Sequence, residues 1–255
     1  MRHVRFTSQD RQQVQIGNLQ DNVIQTDKQR YRLSDVQLLA PVIPTKIICL
    51  AGNYVEHFQE SRKSVSRRPN FFLKPPSAII GPGDTIILPK SGRVDYEGEL
   101  AVVIGRRCRN VSAAAAYEVV AGYTCMNDVS DREAQEWEAN WVRGKAFDTS
   151  APLGPVLVSL DELTEPLRII VRLNGRVVQD GSTRDMVFSI PEIIAELSSF
   201  MTLEPGDVIA TGTPPGVGPV SPGDIVNVEI EGIGTLSNPV GSPPHLFDGK
   251  QPTVE

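Results

Sequence analysis

The chain has 255 residues, with 31 Asp and Glu against 25 Lys and Arg, a formal net charge of −6. This length bounds one large domain, or one domain with a small appendage, able to bury most of its apolar surface without staples. No apolar stretch approaches the roughly 18 residues of a membrane helix, Met1 to Gln20 carry no signal-peptide core, and the acidic balance argues against nucleic acid as a partner.

In chain order, Val4-Arg5-Phe6 and Val14-Gln15-Ile16 read as short strands within a modest segment, 1–45. Ile47-Ile48-Cys49-Leu50 reads as a buried strand followed by a turn at Gly52. Val55 to Arg68 is polar and charged, one or two helical turns opening into a loop. Phe71-Phe72-Leu73 is another strand. Val94 to Gly105 is the longest strand candidate, with Val94, Tyr96, Leu100, Val102 and Ile104 of one parity. Ser112 to Val120 and Asp131 to Trp141 have helical composition, Ser112 being a plausible N-cap. Leu173-Asn174-Gly175-Arg176 predicts a hairpin, because Asn-Gly suits a type I′ turn. Ser189 to Thr202 is the best helix, with a Ser189/Glu192 capping box, Pro191 in its first turn, and an apolar stripe of Ile190, Ile193, Ile194 and Leu197.

Pro-Gly-Asp recurs at Pro82, Pro205 and Pro222, each time before an apolar β-rich run. The tail from Gly241 is polar and rich in Pro. Many short strands with few helices predict a β-rich α+β fold. Cys49, Cys108 and Cys125 fit neither a metal-site spacing nor a disulfide framework. A reducing cytoplasm is the default, with the thiols as small buried hydrophobes.

Glu97 and Glu99 fall on one strand face with Asp95. Neighbouring carboxylates repel, and a cation relieves that repulsion. Oxygen-only ligands favour Mg²⁺ or Mn²⁺. The plainer reading is a solvated strand face. Asp128, before a helix, is either a third ligand or a helix cap, with Ser130 as the rival cap.

His57 and Glu60 are neighbours if helical, a general-base pairing, or else a surface pair. Lys145 is placed in a loop, as an oxyanion binder or a solvated lysine. Thr211-Gly212-Thr213-Pro214 is an anion clamp through hydroxyls and backbone N–H groups, or an ordinary turn. Arg62, Lys63, Arg67 and Arg68 either attract an anionic substrate or form a solvated loop.

Taken in order, Asn53-Tyr54 with His57 and Glu60, Phe71-Phe72-Leu73-Lys74-Pro75, Asp95-Tyr96-Glu97-Gly98-Glu99-Leu100, Asn127-Asp128-Val129-Ser130, Lys145-Ala146-Phe147-Asp148 and Ala210-Thr211-Gly212-Thr213-Pro214 resemble the fumarylacetoacetate hydrolase family. The resemblance runs from about Lys46 to Val240. It implies a mixed β-roll over 46–255, preceded by a small variable segment, 1–45. It also implies a homodimer and a divalent metal, Mg²⁺ or Mn²⁺, on Glu97, Glu99 and Asp128. The family's His-Glu dyad falls on His57 and Glu60, in a segment that often acts as a lid. Its active-site lysine falls on Lys145, its substrate-contacting threonine on Thr213, and a glutamine near the substrate on Gln135. Two stretches depart from the family pattern. Gly52 replaces a bulky residue or Arg, and Ser130-Asp131-Arg132-Glu133 replaces Ser-Ala-Arg-Asp.

The implied activity is metal-dependent hydrolysis of a C–C bond in a small 2,4-dioxo acid, acylpyruvate-like, through a metal-bound enolate. The same site suits oxaloacetate decarboxylation or 2-hydroxyhepta-2,4-diene-1,7-dioate isomerisation. A non-catalytic, metal-dependent organic-acid binder is the reading from another class. The expected partner is a small anionic 2-oxo acid, with neither nucleic acid nor membrane involved, in the cytoplasm.

Overall fold

The computed structural model describes residues 1–8, 11–55, 68–90 and 92–242. Among the described residues strands dominate, and they form three sheets of 12, 3 and 5 strands. In the largest sheet, Arg2–Ser8, Ala151–Val158, Val120–Asn127, Gly98–Ile104, Val208–Ala210, Ile47–Leu50 and Phe71–Lys74 follow one another as neighbours. The five-stranded sheet runs Arg176–Ser182, Arg168–Leu173, Ile225–Ile230, Gly234–Gly241, Ile86–Ile87. The small sheet joins Ser130–Asp131, Val94–Tyr96 and Gly218–Pro219. The architecture is α+β and β-rich.

The single long strand expected over 94–105 is two. Val94–Tyr96 belongs to the small sheet and Gly98–Ile104 to the large one, and the chain crosses between them at Glu97. Every residue of Gly98–Ile104 is buried. Leu100, Val102 and Ile104 join the main core with Val171 and Val228, while Ala101 and Val103 join a second cluster with Cys49 and Met126. A strand covered on both faces loses the polar alternation of a half-exposed one. At the crossing, a Cβ on Gly98 would lie 2.2 Å from Val171 Cγ2. Only glycine lets the five-stranded sheet come so close.

Local signals elsewhere become the predicted elements. Leu173 pairs with Arg176 across the Asn174-Gly175 turn, whose φ angles are 52° and 81°. The helix Ile190–Phe200 starts with both halves of the Ser189/Glu192 capping box. It buries Ile190, Ile193, Ile194 and Leu197, each contributing roughly 1.5–3 kcal/mol. The three Pro-Gly-Asp turns share one geometry. Asp84, Asp207 and Asp224 each accept a hydrogen bond from the backbone N–H three residues earlier, at 2.8, 2.8 and 2.7 Å.

Two helix expectations change. Ala113–Val119 is a 3₁₀ helix, and Ser112 makes no capping hydrogen bond. The stretch expected over 131–141 is a short helix, Arg132–Trp137, followed by a separate turn of helix, Val142–Lys145. Glu138, which ends the first helix, is extended, and Trp141, just before the second, has a left-handed φ of 59°. Among the described residues no helix is long and apolar enough to cross a membrane.

Candidate active site

Strand register brings the acidic residues together. Gly98 faces Asn127 across the sheet, so Glu97 and Glu99 flank the point where Asp128 leaves the next strand. The Asp128 N–H donates to the Glu97 carbonyl at 2.8 Å, and the Glu97 N–H donates to Asn127 Oδ1 at 2.9 Å. One carboxylate oxygen from each of Glu97, Glu99 and Asp128 lies within 4.8 Å of the other two. Their residues are 6%, 1% and 0% exposed, so the solvated-face reading fails. Nor does Asp128 cap the following helix. Asp131 does, accepting from the Ala134 N–H at 3.1 Å.

Buried carboxylates need partners, and three cations reach the cluster. Lys145 Nζ donates to Glu97 Oε2 at 2.8 Å, to Asp128 Oδ2 at 2.7 Å and to Ser130 Oγ at 2.5 Å. Phe72 covers it, with the ring centroid 4.8 Å from Nζ. Arg132 donates from Nη2 to Glu97, and from Nε to Asp95 Oδ2 at 2.8 Å. Lys74 Nζ lies 2.7 Å from Asp128 Oδ1. Its hydrogen bonds go to the carbonyls of Val129 at 3.1 Å and Ser150 at 2.8 Å. Among the described residues Asp128 Oδ1 therefore has a charge beside it but accepts no directed hydrogen bond.

The charges are shared unevenly. Burial opposes the ionised form of Glu97, but Lys145 and Arg132 outweigh it and hold that carboxyl below the ordinary range. Burial pushes the Glu99 carboxyl well above that range, and the Asp128 and Glu97 charges push it further. Among the described residues Glu99 Oε2 accepts one hydrogen bond, from the Gly212 N–H at 2.8 Å, too little to offset that repulsion. Burial also opposes the charge on Lys145, yet Asp128 and Glu97 keep its pKa above the ordinary lysine value. For Lys74 burial wins and the pKa falls, with Asp128 opposing. A divalent cation held by the three carboxylates would relieve the repulsion on Glu99. The oxygen-only donor set fits a hard cation such as Mg²⁺ or Mn²⁺.

The turn after Val208–Ala210 closes one side. Thr211 Oγ1 donates to the Leu100 carbonyl at 3.0 Å, and Thr213 Oγ1 to the Gly98 carbonyl at 2.9 Å. Gly212 adopts φ 92°, and a Cβ there would lie 2.8 Å from Asn53 Cβ. Asn53 Nδ2 in turn donates to the Thr211 carbonyl at 2.9 Å. Both threonine hydroxyl protons thus go to strand carbonyls, which leaves the anion clamp no hydroxyl donor.

Of the residues singled out from sequence, Glu97, Glu99, Asp128 and Lys145 converge, with Thr213 held against Gly98, the residue between the two glutamates. Lys145 ends a helical turn and is 3% exposed, not solvated in a loop. Gln135 Oε1 accepts from Arg132 Nη1 at 2.9 Å, one residue removed from the carboxylates. His57 and Glu60 lie outside the described residues, as do Arg62, Lys63 and Arg67. Sequence reasoning assigned no role to Lys74, Arg132 or Gln179. The available signals were a lysine inside the apolar run Phe71–Lys74 and the Arg132/Gln135 spacing of helical neighbours.

The family model for the fumarylacetoacetate (FAA) hydrolase C-terminal region matches residues 46–241. The chain is 46% identical over 223 residues to the human mitochondrial oxaloacetate tautomerase FAHD2A, covering 81% of this chain and 70% of that protein. The solved structure of 5-carboxymethyl-2-hydroxymuconate delta-isomerase from Mycobacterium smegmatis has a TM-score of 0.89 at 41% identity, covering 96% of this chain and all of that one. Maleylpyruvate hydrolase from Sphingobium sp. SYK-6, solved with manganese(II) and pyruvate, has a TM-score of 0.82 at 32% identity, covering 96% and 100%.

Proposed function

This chain belongs to the fumarylacetoacetate hydrolase family, and from that premise we propose that it is a divalent-cation-dependent enzyme acting on a small, enolisable 2-oxo acid. The carrying observation is the buried trio Glu97, Glu99 and Asp128 with Lys145 against it. Those three residues would hold Mg²⁺ or Mn²⁺. When bound, the cation supplies Lewis-acid stabilisation of negative charge on the substrate oxygens.

The chain's own groups do the rest. Lys145 offers a preorganised positive charge in a water-poor site, where charge stabilisation of an oxyanion is most effective; its three N–H groups go to Glu97, Asp128 and Ser130. Arg132 ties Glu97 to Asp95 and holds the first acidic side chain in place. His57, oriented by Glu60, is the proposed base, taking a proton from the carbon next to the oxo group or from an attacking water. Gln135 and Thr213 are proposed to face the substrate.

Proton transfer, as keto–enol tautomerisation or double-bond isomerisation, is the reading placed first. It is supported by the 46% and 41% identity to proteins named for such reactions. Hydrolysis of the C–C bond of a 2,4-dioxo acid, ranked first from sequence, stands second. It is supported by the likeness to maleylpyruvate hydrolase at 32% identity. The assembly is proposed to be a homodimer, which sedimentation tests.

The discriminating experiment follows oxaloacetate enol decay and acylpyruvate cleavage in parallel. Both are measured after chelation and again after adding back Mn²⁺ or Mg²⁺. Rates indifferent to chelation would remove the cation from the reading, and activity on acylpyruvate alone would reverse the order of the two reactions.

A further inference from the structure

Gln179 lies on Arg176–Ser182, in the five-stranded sheet, and is 1% exposed. Its Oε1 accepts from the Gly98 N–H at 3.0 Å. Its Nε2 donates to Thr213 Oγ1 at 2.8 Å and to the Pro214 carbonyl at 2.6 Å. Thr213 Oγ1 donates to the Gly98 carbonyl at 2.9 Å, which closes a ring.

Chemistry dictates every proton in this ring. A backbone N–H only donates and a backbone carbonyl only accepts. The amide therefore cannot be flipped: its oxygen must face Gly98 and its nitrogen Pro214. That nitrogen only donates, so Thr213 Oγ1 accepts from it. The single hydroxyl proton of Thr213 then goes to the Gly98 carbonyl. The bonds run one way, from Gly98 to Gln179 to Thr213 and back to Gly98.

Packing holds the same surfaces together. A Cβ on Gly181 would lie 2.5 Å from Pro214 Cβ, and one on Gly216 would lie 2.2 Å from the Val178 carbonyl oxygen. The turn carrying Thr213 thus lies flush on the strand carrying Gln179.

We propose that Gln179 is a positioning residue for the reaction at the carboxylate centre, seating the Thr211–Pro214 turn on the glycine between Glu97 and Glu99 and so fixing where Thr213 stands against a bound ligand. It touches no substrate and acts through Thr213. The inference rests on the reading of the centre given under Proposed function.

Titration calorimetry on the full chain tests it, with Mn²⁺ and then oxalate as probes. Wild type should bind Mn²⁺, and oxalate only with Mn²⁺ present. Failure of that arm overturns the reading of the centre, and the inference with it. Gln179→Met should leave Mn²⁺ affinity within about twofold and weaken oxalate about five- to tenfold, the worth of one neutral hydrogen bond. Unchanged oxalate affinity overturns the inference, and so does a parallel loss of Mn²⁺, because that is general damage. Should Gln179→Met fail to fold, the isosteric Gln179→Glu takes its place. It sets an oxygen against the Pro214 carbonyl and should show the same oxalate loss. The double variant decides the route: on a Thr213→Val background, Gln179→Met should weaken oxalate by less than about twofold. Full additivity there means that Gln179 does not act through Thr213, and overturns the proposal.

Discussion

Lys145 Nζ stands 2.7 Å from Asp128 Oδ2, with both side chains almost wholly out of water. A lysine is held in such an environment only where anions compensate its lost hydration, and here Glu97 shares the task at 2.8 Å. The pair links the helical turn Val142–Lys145 to the end of the strand Val120–Asn127. The same ammonium stabilises the acidic cluster and is the charge proposed to act on the substrate.

Replacing Lys145 by Met should therefore damage catalysis. Loss of a preorganised positive charge beside a developing oxyanion should lower kcat by about 10²–10³-fold. Steady-state rates at saturating Mn²⁺, for whichever acid proves to be the substrate, measure this. A loss below threefold or so would exclude Lys145 from the reaction.

The raised pKa of Glu99 makes cation binding pH-dependent. A carboxyl that stays protonated in the folded chain, at a pH where the unfolded chain ionises, favours the folded state at low pH. Without cation, this contribution fades as pH climbs from the ordinary glutamate value toward the raised one. Bound Mn²⁺ needs the ionised carboxylate, so binding should release about one proton in this window. Its stabilising effect should grow with pH. Melting curves between about pH 5 and pH 8, with and without Mn²⁺, check the sign. A cation-induced shift that is flat across that range would contradict the assignment of Glu99.

Lys74 should matter to stability. It is 1% exposed, and its ammonium serves Asp128 and two backbone carbonyls. Lys74→Met leaves all three without it, at a cost of about 3–5 kcal/mol. At this chain length that corresponds to a melting temperature lower by roughly 10 °C. Adding Asp128→Asn should then cost less than the two changes measured separately, because they share one interaction. Strict additivity in denaturant titrations would mean that the pair is not coupled.

His57 tests the chemistry from outside the described residues. Hydrolysis needs a base to make water nucleophilic, whereas loss of CO₂ from oxaloacetate requires no attacking water. His57→Ala should depress acylpyruvate hydrolysis by about 10²–10⁴-fold, with a much smaller effect on oxaloacetate decarboxylation. Both rates are read at saturating Mg²⁺. Equal losses would remove the selective water-activating role, and an unchanged hydrolysis rate would refute His57 as the base.

What the sequence determined by itself is what neighbouring residues decide among themselves. The Asn174-Gly175 hairpin, the Ser189/Glu192 capping box and the repeated Pro-Gly-Asp turns each rest on dihedral preferences and bonds spanning a few residues, so they were legible without a fold. The closeness of Glu97 and Glu99 was legible too, since only Gly98 separates them, although the strand whose period suggested it breaks at Glu97. Only the tertiary structure decided the rest. It broke the expected long strand at Glu97, brought Asp128 to the glutamates through the Gly98/Asn127 register, and sank Lys145 and Lys74 into the interior. It also laid Gln179, from a different sheet, across the Glu-Gly-Glu run. Which strands become neighbours, and in what register, is settled by burying apolar faces over the whole chain. No window of sequence around Asp128 or Gln179 carries that information, so their partners appear only once the sheets have packed.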